Sequence, residues 1–280
     1  KWLLTDVLRK EWGFNGCVVA DYATIDSLDE IHCVAANKEE AAKMAFEAGI
    51  DVELPDIKYF ASLEQQIKSG QVSQDALDRA VAGILRCKFA LGLFDDPYVD
   101  AAFAEKIINA EEHKKLALEA CHKSIVLLKN DNHLLPLSKE SIKSIAVIGP
   151  NAAEAHLGGY SGHPTYCSTI LDGIKEKVGD QVNVLYAEGC KITKRGGREY
   201  SYDPVEQPDQ ELNQKLIAEA VEIAKKADVA VLAVGEVEAI CRESWLGHHI
   251  GDAATLDLIS QQNDLVKAIV ETGTPTIVIL

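Results

Sequence analysis

Basic charge is scarce in this chain of 280 residues: 28 Lys and Arg stand against 44 Asp and Glu, a formal net charge of −16. A nucleic-acid partner needs a basic surface to meet its phosphates, so this balance argues against one. What it describes is an acidic, solvated surface. Long apolar runs are also missing. No stretch approaches the roughly 20 residues of a membrane-spanning helix, so no membrane partner is expected. The seven cysteines (17, 33, 87, 121, 167, 190 and 241) include no pair at CxxC spacing. Their odd count and low density argue against a disulfide framework, and no ligand pair has zinc spacing. Most are expected to be small buried apolar residues. A phosphate loop is lacking as well. Gly149-Pro150-Asn151 and Gly158-Gly159-Tyr160-Ser161-Gly162 match neither GxGxxG nor GxxxxGK[ST], and Pro150 removes a backbone donor. No cofactor and no metal is expected. Methionine is nearly absent too: position 1 is Lys, and the one Met is Met44. Pro275 to Leu280 is an apolar, β-rich run with no turn signal after it. The chain therefore reads as an internal piece of a longer protein. A leader peptide would lie upstream of such a piece, which leaves the compartment open.

Apolar residues make up 47% of the chain and charged residues 26%, the composition of a globular protein. Leu3, Leu4, Val7, Leu8 and Trp12 recur at helical spacing up to Gly13. Cys17 to Ala20 reads as a short buried strand with Asp21 directly after it. A helix follows over 38–48, ended by Gly49, and then a strand from Ile50 to Leu54, ended by Pro55. Further helices are expected at 57–69 and 73–91. This alternation predicts a parallel sheet with crossover helices. The first 92 residues are read as the C-terminal part of a barrel-like α/β domain. Residues 93–123 read as a linker that carries a helix at 111–122. Residues 124–280 read as a second α/β domain with a largely parallel sheet, cut short at its C-terminus. Its expected strands are 125–128, 145–148, 182–186, 229–234 and 276–280, and its expected helices are 213–226 and 254–271.

Asp21 follows a buried parallel strand, at the end of the sheet where α/β active sites lie. The plainer alternative is a loop carboxylate that caps the next turn. Glu236 ends the apolar strand 229–234. Glu243 sits in the polar and aromatic loop Cys241-Arg242-Glu243-Ser244-Trp245. Both glutamates could instead be solvated loop residues. Paired carboxylates are the equipment of glycoside hydrolysis, one attacking the anomeric carbon and the other protonating the leaving oxygen. Carboxylates this far apart in sequence would share a site only between two domains, a common place for ligand clefts. Trp245 could stack on a sugar face or be half-buried. His248-His249 reads as loop filler. Glu53 and Asp56, beside Pro55, are placed on the rim of the first domain.

Several of these stretches resemble one family. Leu3 to Arg9, Glu11-Trp12-Gly13-Phe14 and Val18-Val19-Ala20-Asp21-Tyr22 are similar to the nucleophile region of glycoside hydrolase family 3. Lys123 to Asn130, Leu134-Leu135-Pro136-Leu137, Ile148 to Ala152 and Gly158 to Gly162 resemble the entry to that family's second domain. The motifs occur in family order along essentially the whole chain. The resemblance implies a (β/α)8-like barrel followed by an α/β/α sandwich, and a retaining mechanism with Asp21 as nucleophile. It places the acid/base in the loop from Gly235-Glu236 to Gly251-Asp252, which points to Glu243 with Glu236 in reserve. Tyr22 and Trp245 are then the candidate substrate-binding side chains, and the expected partner is a β-linked oligosaccharide or glycoside. β-Glucosidase is the first expectation, with β-xylosidase or arabinofuranosidase next. Ala20 stands where Ser is common in the family, and Ala253 where Arg is common.

Two other classes compete: a carbohydrate-binding scaffold without catalysis, and a nucleotide-dependent α/β enzyme. The paired carboxylates disfavour the first and the missing phosphate loop the second. The family's remaining sugar-binding side chains lie upstream of the nucleophile region. The 280-residue piece alone is therefore expected to hydrolyse no glycoside. Turnover of an aryl β-glucoside by the purified chain, lost on Asp21→Ala, would overturn that expectation.

Overall fold

The computed structural model describes residues 1–157, 161–162, 164, 166–194, 206–237, 240 and 255–280. The chain divides into two compact units, Lys1–Ser124 and Ile125–Leu280.

The first unit opens with a π-helix, Trp2–Glu11. The Trp12 N–H donates to Val7 O, five residues back, and Gly13 closes the turn at φ +72°. α1 (Asp26–Glu30), α2 (Lys38–Ala48), α3 (Leu63–Lys68) and α4 (Gln74–Ala90) follow. Local chemistry sets the limits of the longer helices. The Asn37 side chain accepts from Glu40 N and Ser73 from Ala76 N, each taking up a first-turn donor that the helix leaves unpaired. Gly49, left-handed at φ +118°, ends α2 at the expected place. α2 buries Ala41, Ala42, Ala45 and Phe46 against Ile25, Tyr59, Leu63, Val72 and Ala80. Phe46 meets Phe60 edge-on, with ring centroids 5.4 Å apart. α5 (Ala101–Ile107) and α6 (Glu111–Ser124) bury no residue.

Two expectations need correction, one for this unit and one for the cysteines of the whole chain. Cys17–Ala20 and Ile50–Leu54 are not full strands; they meet in a single parallel bridge, Val19 to Val52. Among the described residues each segment pairs with the other, and Val19 is 48% exposed. The cysteines are also less buried than expected: Cys33, Cys121 and Cys167 are exposed, while Cys190 is buried. The thiols of Cys17 and Cys87 lie 4.0 Å apart, where α4 crosses the segment before Val18.

The second unit is a three-layer α/β sandwich. β1 (Ser144–Ile148), β2 (Asn183–Ala187), β3 (Val229–Ala233) and β4 (Thr276–Ile279) form one parallel sheet in the order β2-β1-β3-β4. α7 (Ile170–Val178), α8 (Gln210–Ala224) and α9 (Gln262–Val270) connect them in turn. Side chains alternate between the two faces, as the pleat requires. Ala146, Ile148, Ala230 and Leu232 pack on Ala220 and Ala224 of α8 and on Leu265 and Ile269 of α9. Ile145, Val147, Val229 and Val231 pack on Leu171 and Val178 of α7. β3 is buried at all five positions, which is why it reads as an unbroken apolar run.

Ile125–Leu128, expected as a strand, is not one. Its four side chains are 64–77% exposed, and no ladder partner appears among the described residues. Apolar, β-branched composition does not make a strand without a neighbour to pair with. The helix expected over 254–271 begins only at Gln262, because Ser260 takes φ +63°, which a right-handed helix does not admit.

Asp228 joins the starts of β1 and β3. Its Oδ2 accepts from Lys143 N (2.7 Å), Ser144 N (2.9 Å) and Ser144 Oγ (3.2 Å). The backbone N–H groups of Lys143 and Ser144, bonded to the charged form, hold its pKa below the ordinary 3.8. A depressed folded-state value means stability that is present above 3.8 and lost as pH falls through the folded value. Asp228→Ala is expected to be less stable than the native chain at about pH 6, with the gap closing in stronger acid; urea unfolding at the two pH values measures it.

Candidate active site

In the first unit, the segment before Asp21 is held by backbone pairing. Asp51 N and Val52 N donate to Val18 O (2.8 and 3.2 Å), and Ala20 N donates to Val52 O (2.9 Å). Ala20 points into the core, and Asp21 follows at the carboxyl end of the paired segment, exposed. Its Oδ1 accepts from Tyr22 N at 2.7 Å, which is its one side-chain hydrogen bond among the described residues. No hydrogen bond to Oδ2 occurs among the described residues. Tyr22 is 68% exposed beside it.

Beneath this segment lies a feature that sequence reasoning missed. The Asp51 side chain is fully enclosed. Its Oδ2 pairs with Arg9 Nη2 and accepts from Val18 N at 2.8 Å, and its Oδ1 is 3.6 Å from Arg79 Nη2. Arg9 also donates to Gly16 O (3.0 Å) and Gly49 O (3.4 Å), and Arg79 to Phe46 O (3.0 Å). Two guanidinium groups, one from the π-helix and one from α4, thus converge on one carboxylate. The available signal was a charged residue inside an otherwise apolar segment, Ile50-Asp51-Val52.

Glu53 is not a free rim carboxylate. It is buried, and its oxygens accept from Tyr59 N (2.8 Å), Phe60 N (2.8 Å) and Lys58 N (3.2 Å), capping the turn that leads into α3. Asp56 is exposed.

In the second unit, the strand order places the topological switch between β1 and β3. The connection from β1 runs to β2 on one side, and β3 leads to β4 on the other. Ligands of open parallel sheets bind outside the carboxyl ends of the strands at such a point. Gly149 and Gly235 stand there, at φ +128° and +138°. A Cβ on Gly149 would lie 2.1 Å from Ala233 O, so only glycine lets the two strand ends approach. Gln262, fully buried at the start of α9, grips the chain just beyond β3. Its Oε1 accepts from Gly235 N (2.9 Å), and its Nε2 donates to Gly235 O (2.8 Å) and Ile259 O (3.0 Å). Asn213, equally buried, does the same beyond β2: Oδ1 accepts from Lys191 N (2.8 Å), and Nδ2 donates to Lys191 O (3.2 Å). Neither amide was singled out from sequence, where a polar residue on a helix face looks like surface.

Glu236 is half-buried directly after Gly235. Glu243 and Trp245 lie outside the described residues, as do His248-His249, Gly251-Asp252 and Gly158-Gly159-Tyr160. The described residues therefore bring Asp21 and Tyr22 together in the first unit and place Glu236 at the switch point of the second. An open groove of about 550 Å³ beside β2 and α8 includes Tyr186, Glu188 and Glu222. Two of its three carboxylates, Glu188 and Glu222, are engaged by Lys191 and Lys225, each at 2.8 Å; Glu219 is the third. No cluster of three or more His, Cys, Asp or Glu able to hold a metal occurs among the described residues.

The second unit is an open parallel α/β sheet, and comparison with known proteins assigns the family. Residues 1–87 match the glycosyl hydrolase family 3 N-terminal domain, and residues 125–280 match the family 3 C-terminal domain. The chain belongs to glycosyl hydrolase family 3. It is 39% identical to a β-xylosidase of Formosa agariphila, over 100% of this chain and 38% of that protein. It is 38% identical to a periplasmic β-glucosidase of Salmonella typhimurium, over 100% of this chain and 37% of that protein. Among solved structures, a β-glucosidase of Erythrobacter marinus superposes with a TM-score of 0.89 at 39% identity, covering 99% of this chain and 38% of that one. The β-glucosidase of Listeria innocua in complex with glucose superposes with a TM-score of 0.77 at 31% identity, over 99% and 35%. The chain thus spans well under half the length of these relatives.

Gln262→Leu leaves the Gly235 N–H and C=O without partners in a buried setting. It is expected to destabilise the second unit by about 3 kcal/mol. Urea unfolding measures the loss, and hydrogen exchange at the Gly235 amide should accelerate in the same variant.

Proposed function

We propose that the protein is a retaining β-glycosidase acting on terminal non-reducing β-D-glucosides, with Asp21 as its nucleophile. The observation that carries this reading is the setting of Asp21: an exposed carboxylate at the carboxyl end of a paired parallel segment, held by one backbone N–H on Oδ1. The family membership supports it, as do relatives named as β-glucosidases and β-xylosidases.

The mechanism follows from the chemistry of two carboxyl groups. Asp21 Oδ2 attacks the anomeric carbon while a carboxylic acid protonates the departing glycosidic oxygen, and a covalent glycosyl ester forms on Asp21. The acid, now a carboxylate, takes a proton from water. That water attacks the anomeric carbon, releases Asp21 and restores the original stereochemistry. Glu243 is our assignment for the acid/base, with Glu236 in reserve. Tyr22 and Trp245 are proposed to contact the sugar. A second reading, a β-xyloside substrate, is favoured by the relatives of Formosa agariphila named as a β-xylosidase and a putative β-xylosidase, at 39% and 34% identity.

The test uses the longest product of the gene. Asp21→Ala is expected to lower turnover of an aryl β-glucoside at least about a thousand-fold. Azide should restore part of the rate and yield the α-glycosyl azide, because azide attacks from the face that Asp21 occupied. A corresponding change at Glu243 should instead give the β-glycosyl azide, because the Asp21 ester still forms. Undiminished turnover in Asp21→Ala would remove the assignment, and activity on aryl β-xylosides against β-glucosides decides the sugar.

A further inference from the structure

We propose that Asp51 is the positioning residue of the nucleophile: its buried carboxylate sets the register of the segment that ends in Asp21. The inference rests on the reading of Asp21 as nucleophile.

Asp51 holds Val18 from both sides. Its main-chain N–H donates to Val18 O at 2.8 Å, and its side-chain Oδ2 accepts from Val18 N at 2.8 Å. Val18 is three residues before Asp21, and the next ladder bond, Ala20 N to Val52 O at 2.9 Å, carries the register to the residue adjoining Asp21. With a single β-bridge joining the two segments, backbone pairing alone specifies this register weakly. A slip of one residue would exchange the buried Ala20 for the half-exposed Val19 and turn Asp21 to the opposite face. The side chain of Asp51 supplies the missing specification. Arg9 and Arg79 fix its orientation, and Arg9 also holds Gly16 O on the near side of Val18.

Packing does not require a charge at this place. A buried ion pair contributes little stability over apolar residues of the same volume, and setting register is the best-attested use of such groups. What a carboxylate adds over a leucine here is the acceptor for Val18 N.

The experiment uses the longest product of the gene and traps the glycosyl ester with 2-deoxy-2-fluoro-β-glucosyl fluoride, or its xylosyl counterpart if xylosides are the better substrates. Asp21 Oδ2 forms the bond to the anomeric carbon, the carbon–fluorine bond breaks and fluoride leaves. Labelling of Asp21 is followed by peptide mass, and the rate is expressed per folded molecule, with folded protein quantified by circular dichroism. Asp51→Ala is expected to label at least about ten-fold more slowly, while competitive inhibition by glucose changes by less than about two-fold. Asp51→Asn, which retains an oxygen for Val18 N, should recover much of the rate. If Asp51→Ala does not fold, the paired substitution Arg9→Met with Asp51→Leu decides. It leaves no unmatched charge between these two positions, yet it still lacks the acceptor, and it should label as slowly as expected for Asp51→Ala. Folded variants without the acceptor that label at the native rate would overturn the proposal and reduce Asp51 to a stabilising residue. Native protein that never labels at Asp21 would overturn the nucleophile assignment itself, and this role with it.

Discussion

The enclosed carboxylate of Asp51, between Arg9 and Arg79, is the constraint around which the first unit is arranged. Removing a carboxylate from water costs several kcal/mol unless charges and hydrogen bonds replace the lost hydration. Here the replacement comes from three places in the chain: the π-helix, the backbone of Val18 and helix α4. Those partners must come together or the charge is left unmatched. The π-helix is further tied to the end of α2 by Thr5 Oγ1 on Ala48 O at 2.9 Å. Asp21 thus follows a short segment, joined to Ile50–Leu54 by one bridge, in which the Asp51 side chain holds Val18 N.

The second unit solves the corresponding problem with neutral groups. Its parallel sheet is covered on both faces by apolar contacts, so its strands need no ionic support. The difficulty lies at the carboxyl ends, where the chain leaves the sheet and its backbone polar groups lose their ladder partners. Buried amides fill that role. Gln262 takes both polar groups of Gly235, and Asn213 takes both polar groups of Lys191. A side-chain amide carries a donor and an acceptor side by side, so one residue satisfies a whole peptide unit. The loop that leaves β3 toward Glu236 therefore starts from a fixed point.

Elements bounded by strong local chemistry were legible in the sequence. Helix α2 has Asn37 before it and Gly49 after it, and its limits were read correctly. The central strands β1 and β3 could be read because both of their faces are buried, which leaves continuous apolar runs; β2 and β4, at the edges of the sheet, are only partly buried. Ile125–Leu128 has the same composition and forms no strand. The difference is a neighbour, and composition does not encode one. Helix α9 starts late because Ser260 adopts a left-handed conformation that its side chain does not announce. Glu53 looked available and is engaged by three backbone N–H groups supplied by a turn five to seven residues further on.

For the candidate site, the residue types and their order along the chain carried the family and pointed to Asp21, because a carboxylate after an apolar parallel segment is a local pattern. The residues that hold that segment were not legible. Arg9, Asp51 and Arg79 are separated by tens of positions, and although Asp51 stands in an apolar segment, nothing local names its partners. The sequence by itself determined the α/β class and the family, and it made Asp21 a candidate. Only the tertiary structure decided which charged and polar side chains are buried and what each one holds, because that depends on the meeting of distant segments in a medium where an unpaired polar group is costly.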